Sequence, residues 1–273
     1  MALIHMNERS LKKKLSTLNI GELRYFDSIG STNDEALAWA TSGAPDLSLV
    51  VADEQTQGRG RLDRKWFTPK ASGLAFSLIL HPLPIHMPHL SRTVGLAALS
   101  IADSCTGLGL APRIKWPNDI LLNGKKAAGI LIENIWSGAD VDSLVIGMGI
   151  NVYKASVPPA EFLQFPATSI EDELGETPPV REEILHAILN TFIRWRERMG
   201  TDELIQAWEA LLAFRGEQVQ VQAEFGRSIQ AGREPLITGE LLGLESDGSL
   251  RLRDTNDKSV IVRFGDVSLR PGA

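Results

Sequence analysis

The chain has 273 residues, 43% hydrophobic and 23% charged, proportions of an ordinary globular protein long enough for one large domain and a small one. A formal net charge of −6 argues against a general nucleic-acid-binding surface, and a lone cysteine, Cys105, excludes an internal disulfide framework or a cysteine-built zinc cage. No apolar run approaches the ~18 residues of a membrane span and no signal-peptide core follows Lys12, Lys13 and Lys14, so a cytoplasmic protein without a membrane or nucleic-acid partner is expected.

Residues 1–22 are polar and basic, too few for a folded domain, and are expected as a flexible segment. From Leu23 the chain reads as mixed α and β. Ser31-Thr32-Asn33-Asp34-Glu35 before Ala36-Leu37-Ala38-Trp39-Ala40 marks a helix start. Strands over 48–52 and 74–80 flank a basic loop. Pro82, Pro84 and Pro88 then break the chain ahead of a helix over 90–105, whose apolar pattern makes Cys105 a buried structural thiol. One strand over 114–122 and another over 127–135 are predicted around the turn dipeptide Asn123-Gly124, with a further strand over 143–152. Pro158, Pro159 and Pro166 mark a loop, and 181–199 and 202–214 have the period of amphipathic helices. The tail differs in kind. Short alternating segments at 218–221, 237–244, 250–253 and 260–264, separated by Gly, Asp and Asn, predict a β-barrel of about five strands. The expected division is therefore a main domain over 23–214 and a small one over 215–273.

The most informative stretch is Gln57-Gly58-Arg59-Gly60-Arg61-Leu62-Asp63-Arg64-Lys65-Trp66. Arginine presents a rigid fork of donors suited to carboxylate or phosphate oxygens, and Gly58 and Gly60 leave room for backbone amides to join the cradle. On an acidic body, such local positive charge suits a small anionic ligand better than a polyanion; alone, it reads equally well as a solvated basic turn. Ser31-Thr32-Asn33 offers two hydroxyls and an amide for an uncharged polar ligand, or simply a helix cap, and Gln55 adds a donor and an acceptor. Lys115-Trp116-Pro117-Asn118-Asp119 holds a cation, an amide and a carboxylate at a strand edge, an arrangement able to neutralise phosphate oxygens and place Mg²⁺. Gly124-Lys125-Lys126-Ala127-Ala128-Gly129-Ile130-Leu131-Ile132-Glu133 sets two lysines beside small residues that permit close approach of a ligand. Gly147-Met148-Gly149-Ile150-Asn151-Val152 is a glycine-spaced strand ending in an amide. It lacks the third glycine and following helix of a dinucleotide fingerprint, and no GxxxxGK[ST] phosphate loop occurs. Trp66 either closes over a ligand or fills a core. His81, His86 and His89 share a proline-rich loop without carboxylate or thiol, a poor metal set.

Taken in order, Ser-Thr-Asn, Gly-Arg-Gly-Arg, Lys-Trp-Pro-Asn-Asp, Gly-Lys-Lys-x-x-Gly-Ile-Leu-x-Glu and Gly-x-Gly-Ile-Asn-Val resemble the biotin–protein ligases, and the resemblance runs from about residue 23 to 270. It implies an α+β fold: a catalytic domain similar to class II aminoacyl-tRNA synthetases with a mixed sheet, followed by an SH3-like barrel. It also implies an amide-forming ligase using biotin, ATP and Mg²⁺. Biotin is first activated to biotinyl-5′-AMP and then passed to one lysine of a biotin carboxyl carrier protein, a domain of acetyl-CoA carboxylase or a related carboxylase.

By the same resemblance, Ser31, Thr32, Asn33, Gln55, Arg59, Gly60, Arg61, Lys126 and Gly129 bind biotin. Arg59, Arg61, Trp66, Lys115, Asn118, Lys126 and Asn151 bind ATP. Lys126, Arg61, Lys115 and Asp119 act in catalysis, and Asn118 and Asp119 hold Mg²⁺. The loop departs from the usual Gly-Arg-Gly-Arg-x-Gly-Arg by carrying Asp63 in place of a glycine. Lipoate– and octanoate–protein transfer enzymes share the architecture and are the alternative. Too few residues precede the catalytic domain for a DNA-binding helix-turn-helix, so a monofunctional ligase is expected. An edge of the catalytic sheet could pair with the carrier domain or, in a homodimer, with a second copy.

Overall fold

A computed structural model describes residues 6–62, 64–163, 165–224, 236–263 and 266–271. The first departure from expectation comes at once, because residues 6–15 are not a flexible tail. Helix α1 (Glu8–Leu15) is closed by a capping box in which Asn7 Oδ1 accepts from the Ser10 amide at 2.9 Å and Ser10 Oγ accepts from the Asn7 amide at 3.1 Å. Met6, Leu11 and Leu15 are buried, each worth roughly 1.5–3 kcal/mol of apolar transfer. Ser10 also donates to Glu182 and Lys14 pairs with Glu183, which fastens α1 to a later helix. Leu11 and Leu15, spaced i, i+4 in a polar stretch, were the signal of a buried face.

The central sheet has seven strands: β1 (Leu23–Phe26), β2 (Leu49–Ala52), β3 (Leu74–Leu80), β4 (Pro112–Lys115), β5 (Asp119–Leu122), β6 (Lys125–Ser137) and β7 (Asp140–Ile150). Their order is β1-β2-β3-β7-β6-β5-β4, with β1 parallel to β2 and every other pair antiparallel. Both faces are covered, which is why β2 and β3 read as continuous apolar runs. On one face α2 (Thr32–Thr41) packs Ala36, Trp39 and Ala40 on Val50, Ile79 and Val145. On the other, α3 (Thr93–Gly107), α4 (Ile170–Leu174), α5 (Arg181–Arg196) and α6 (Asp202–Ala210) share a core with Leu49, Val51, Phe76 and Leu78. The helix expected over 90–105 starts later, because 84–92 around Pro88 form 3₁₀ turns. Cys105 is buried, and burial pushes its thiol up to about 12. No helix among the described residues is long and apolar enough to cross a membrane.

A second correction shapes the site. The single strand expected over 114–122 is two antiparallel strands, β4 and β5, folded back through Trp116-Pro117-Asn118, where the Trp116–Pro117 peptide is cis. Lys115 thereby lies directly opposite Asp119. Asn123 and Gly124 both have positive φ and make the tight hairpin expected of that dipeptide.

The tail forms a five-stranded antiparallel sheet of β8 (Gln218–Glu224), β9 (Leu236–Leu244), β10 (Leu250–Arg253), β11 (Ser259–Val262) and β12 (Asp266–Pro271), ordered β11-β10-β9-β8-β12. Particular bonds join it to the β4–β5 turn, to α6 and to the 3₁₀ segment before α3. Trp116 Nε1 donates to Gly248 O at 2.9 Å, the Leu244 amide donates to Glu209, and Arg92 Nε donates to Ser246 O.

Candidate functional site

Strand register assembles the floor of the site. On the sheet face that carries α2, cross-strand neighbours run Lys115, Asp119, Gly129, Gly149, Ala75. The next row along places Leu131, Gly147 and Ser77 side by side. The two glycines of β7 are where side chains from elsewhere descend onto the sheet. A Cβ at Gly149 would collide with the Trp66 indole, and one at Gly147 with the Asn33 amide. The glycine spacing therefore clears a floor for Trp66 and Asn33, and has nothing to do with a dinucleotide turn.

The basic segment between β2 and β3 forms the roof. The Trp66 amide donates to Gly58 O at 2.8 Å and the Gly60 amide to Arg64 O at 2.7 Å, so the segment folds as a small hairpin. Both of its stems are tied to α5: Arg181 donates to Asp53 at 2.6 Å, just after β2, and to Gly73 O at 2.9 Å, just before β3. Arg181 and Asp53 are almost wholly buried. Asp63 lies outside the described residues.

Between floor and roof is a cavity of about 780 Å³, and every site residue expected from the sequence lines it: Ser31, Thr32, Asn33, Gln55, Arg59, Gly60, Arg61, Trp66, Lys115, Asn118, Asp119, Lys126, Gly129 and Asn151. Its two ends differ. At one end the groups are neutral. Gln55 Oε1 accepts from the Thr32 amide at 2.8 Å and from Thr32 Oγ1 at 3.0 Å, and its Nε2 faces Thr68 Oγ1 at 3.4 Å. Ser77 Oγ lies 2.8 Å from Thr32 Oγ1 and 2.6 Å from Asn33 Oδ1, one proton between two acceptors. Ser31 occupies the N-cap position of α2, yet its hydroxyl makes no capping bond and lines the cavity instead.

The other end is cationic. Lys126 Nζ meets Asp119 Oδ1 at 2.6 Å, Lys115 Nζ lies 3.7 Å from Asp119 Oδ2, and Arg61 Nη1 reaches Asn118 Oδ1 at 3.5 Å. Lys126 also lies over the Trp66 ring at 5.6 Å, and Lys115 over Phe165 at 5.0 Å. Among the described lining residues Asp119 is the one carboxylate. Burial alone would push its acid form up, but Lys126 and then Lys115 overcome that and hold its pKa below the ordinary carboxylate value. Asn151 Nδ2 donates to Thr168 O at 3.0 Å, and its backbone amide to Ala127 O, which fixes the end of β7 beside Lys126.

Asp119 pairs with Lys126, while Asn118 donates its Nδ2 to Ile130 O at 2.7 Å and accepts from Arg61 at its Oδ1. Among the described residues no group of three His, Cys, Asp or Glu could hold a metal ion. Arg59 lines the cavity, but its guanidinium is turned to acid: Nη1 and Nη2 donate to Glu133 at 3.0 and 2.7 Å, and Nη2 lies 2.7 Å from Asp34. The bonds to Glu133 raise its pKa above the ordinary arginine value. Ser77, Asp34 and Glu133 are the connecting groups that motif reasoning gave no role. The visible clue was a serine inside the wholly buried strand β3, where a polar group must find a partner.

A family model described as Biotin/lipoate A/B protein ligase family matches residues 25–151. The bifunctional ligase/repressor BirA of Bacillus spizizenii is 34% identical over 269 residues, covering 97% of this chain and 79% of that one. The biotin–[acetyl-CoA-carboxylase] ligase of Paracoccus denitrificans is 34% identical over 239 residues, covering 85% and 94%. Among solved structures, the biotin protein ligase from Aquifex aeolicus in complex with biotin and ATP superposes with a TM-score of 0.76 at 27% identity, covering 92% of this chain and 99% of that one. Fold and site thus define a member of the biotin/lipoate ligase class. Within that class, the chain belongs to the biotin protein ligase family.

Proposed function

We propose that this protein is an ATP-dependent biotin–protein ligase that makes biotinyl-5′-AMP and transfers the biotinyl group to a lysine of a biotin carboxyl carrier domain. The observation that carries the reading is the polarity of the cavity: neutral donors and acceptors at one end, a cluster of cations around one carboxylate at the other. A ligand with an uncharged polar ring, an apolar tail and a terminal carboxylate matches that order, and the family's named relatives support it.

In the first half-reaction a biotin carboxylate oxygen attacks the α-phosphorus of Mg·ATP, and pyrophosphate leaves with the electrons of the broken P–O bond. Two anions must be brought together against their repulsion. Lys126, Arg61 and Lys115 supply fixed positive charge where it grows in the transition state. Asp119, ionised at neutral pH, aims the Lys126 ammonium without neutralising the whole cluster. Magnesium arrives with the nucleotide as part of the substrate. In the second half-reaction the neutral ε-amine of the carrier lysine attacks the acyl carbon, AMP leaves as the oxygen leaving group, and the amine releases a proton. The roof formed by 57–66, with Trp66 over Gly129 and Gly149, keeps water from the anhydride.

Ser31, Thr32, Asn33 and Gln55 take the ureido ring in this reading; Gly60 and Gly129 leave space for the adenylate, and Asn118 and Asn151 flank the nucleotide. The main sheet with its helices corresponds to a synthetase-like catalytic domain over 23–214, and the tail sheet to an SH3-like domain from 215. Biotin-dependent exchange of pyrophosphate into ATP tests the first half-reaction alone. Exchange that appears only with biotin supports the reading; exchange driven by lipoate or octanoate instead would overturn the substrate.

A further inference from the structure

Lys126 sits where β6 departs from its partner strand. Leu122 and Leu121 of β5 pair with Lys125 and Lys126, but Ile120 pairs with Ala128, so Ala127 is an extra residue and β6 bulges beside the lysine. A bulge interrupts the ladder and re-aims a side chain, and the backbone groups it leaves over must pair elsewhere. Here the Lys126 amide donates to Pro166 O at 2.7 Å, Lys126 O accepts from the Thr168 amide at 2.9 Å, and Ala127 O accepts from the Asn151 amide. Thr168 is buried and uses every polar group it has. Its amide serves Lys126, its carbonyl accepts from Asn151 Nδ2 at 3.0 Å, and its hydroxyl donates to Glu173 Oε1 at 2.6 Å.

Glu173 belongs to α4 and lies outside the cavity lining, with a side chain only 7% exposed. Its Oε2 accepts from Asn123 Nδ2, in the tight turn that leads into β6, and Lys125 Nζ lies 3.8 Å from Oε1. One carboxylate therefore holds both flanks of the bulge: the turn that precedes Lys126 and the segment paired alongside it. We propose that Glu173 is a positioning residue for Lys126, setting through Asn123 and Thr168 the direction in which the bulge aims the ammonium, and so the rate at which the acyl-adenylate forms. This role rests on the ligase reading above, in which Lys126 supplies charge to the transition state. Misplacing a reacting group by about 1 Å can cost on the order of 10²-fold in rate, so partial release of the bulge is expected to cost about tenfold. A carboxylate suits the place because two donors converge on its two oxygens; a glutamine amide has one acceptor oxygen and can serve only one of them as they stand.

The test uses the whole protein and Glu173→Gln, read by KM for biotin and kcat in biotin-dependent pyrophosphate exchange. The expected result is a fall in kcat of about tenfold with KM within about twofold. Thr168→Val, which removes the hydroxyl at similar volume, reproduces the fall, and Thr168→Ser, which keeps the hydroxyl, does not. The same Glu173→Gln change made in Lys126→Ala lowers the residual rate by less than about twofold, because the group being aimed is gone. A carboxylate that merely stabilised the fold would lower the rate by the same factor in both backgrounds. An unchanged kcat, a rise in KM as large as the fall in kcat, or an equal fall with and without Lys126 overturns the role. Should Glu173→Gln fail to fold, Thr168→Val alone and combined with Lys126→Ala decides by the same readouts. Absence of any biotin-dependent exchange in the wild type would instead defeat the ligase reading.

Discussion

The two ends of the cavity are built on opposite principles. At the neutral end the groups satisfy one another before a ligand arrives: Gln55, Thr32, Ser77 and Asn33 form one chain of hydrogen bonds set on two strands and a helix start. Such a network is stiff and selects by shape and donor pattern. At the cationic end Lys115 and Lys126 flank the Asp119 carboxylate and Arg61 reaches Asn118, so positive charge is gathered where anions would meet. Affinity for the acid should therefore reside mainly at the first end, and rate at the second.

The severest break of that division is Lys126→Ala. Adenylate formation should fall by about 10²-fold or more, the scale of losing one charge-stabilising group, while biotin affinity measured by calorimetry changes by no more than about threefold. Near-normal pyrophosphate release would remove Lys126 from its assigned place. Next comes Gly149→Val, which fills the seat of Trp66 at the junction of the ends. Overpacking of this kind costs ~1–3 kcal/mol, so KM for biotin and for ATP should both rise about tenfold; a rise in only one would show that Trp66 serves one end.

Thr32→Val touches the neutral end alone. KM for biotin should rise about tenfold with kcat within about twofold, and a drop in kcat instead would mean that the ends are not separable. The smallest effect concerns pH. Because the folded Asp119 pKa is held below its ordinary value of 3.8, its ion pair contributes stability that is fully present above that value and lost as pH falls through the folded pKa. The stability gap between wild type and Asp119→Asn should therefore stay flat from neutral pH to about 4 and narrow only below. Narrowing already near neutrality would contradict the charge arrangement described.

How far the sequence carried these conclusions can be judged residue by residue. The strand over 74–80 and the turn at Asn123-Gly124 were legible because burial on both faces and positive φ each leave a compositional mark. Every residue given a site role from the sequence lines the same cavity, since each lies on a strand, at a helix start or in the loop above them. The split of 114–122 into two strands was not legible, because an apolar run flanking Trp116-Pro117 looks the same extended or folded back. Helix α1 was missed because only Leu11 and Leu15 mark its buried face. The pairing on Glu133 was hidden for a deeper reason: Asn33, Arg59 and Glu133 are far apart in sequence, and nothing local tells which cation a carboxylate will meet. Arg59 and Arg61 are chemically alike on paper, and only the fold brings Arg59 onto Glu133 and Arg61 to Asn118.

The most direct test of the central claim is the intact mass of an unmodified biotin carboxyl carrier domain after incubation with this protein, Mg·ATP and equal amounts of biotin, lipoate and octanoate. A single biotinyl addition that requires ATP is the predicted result. A lipoyl or octanoyl addition, or no addition from active protein, would contradict it.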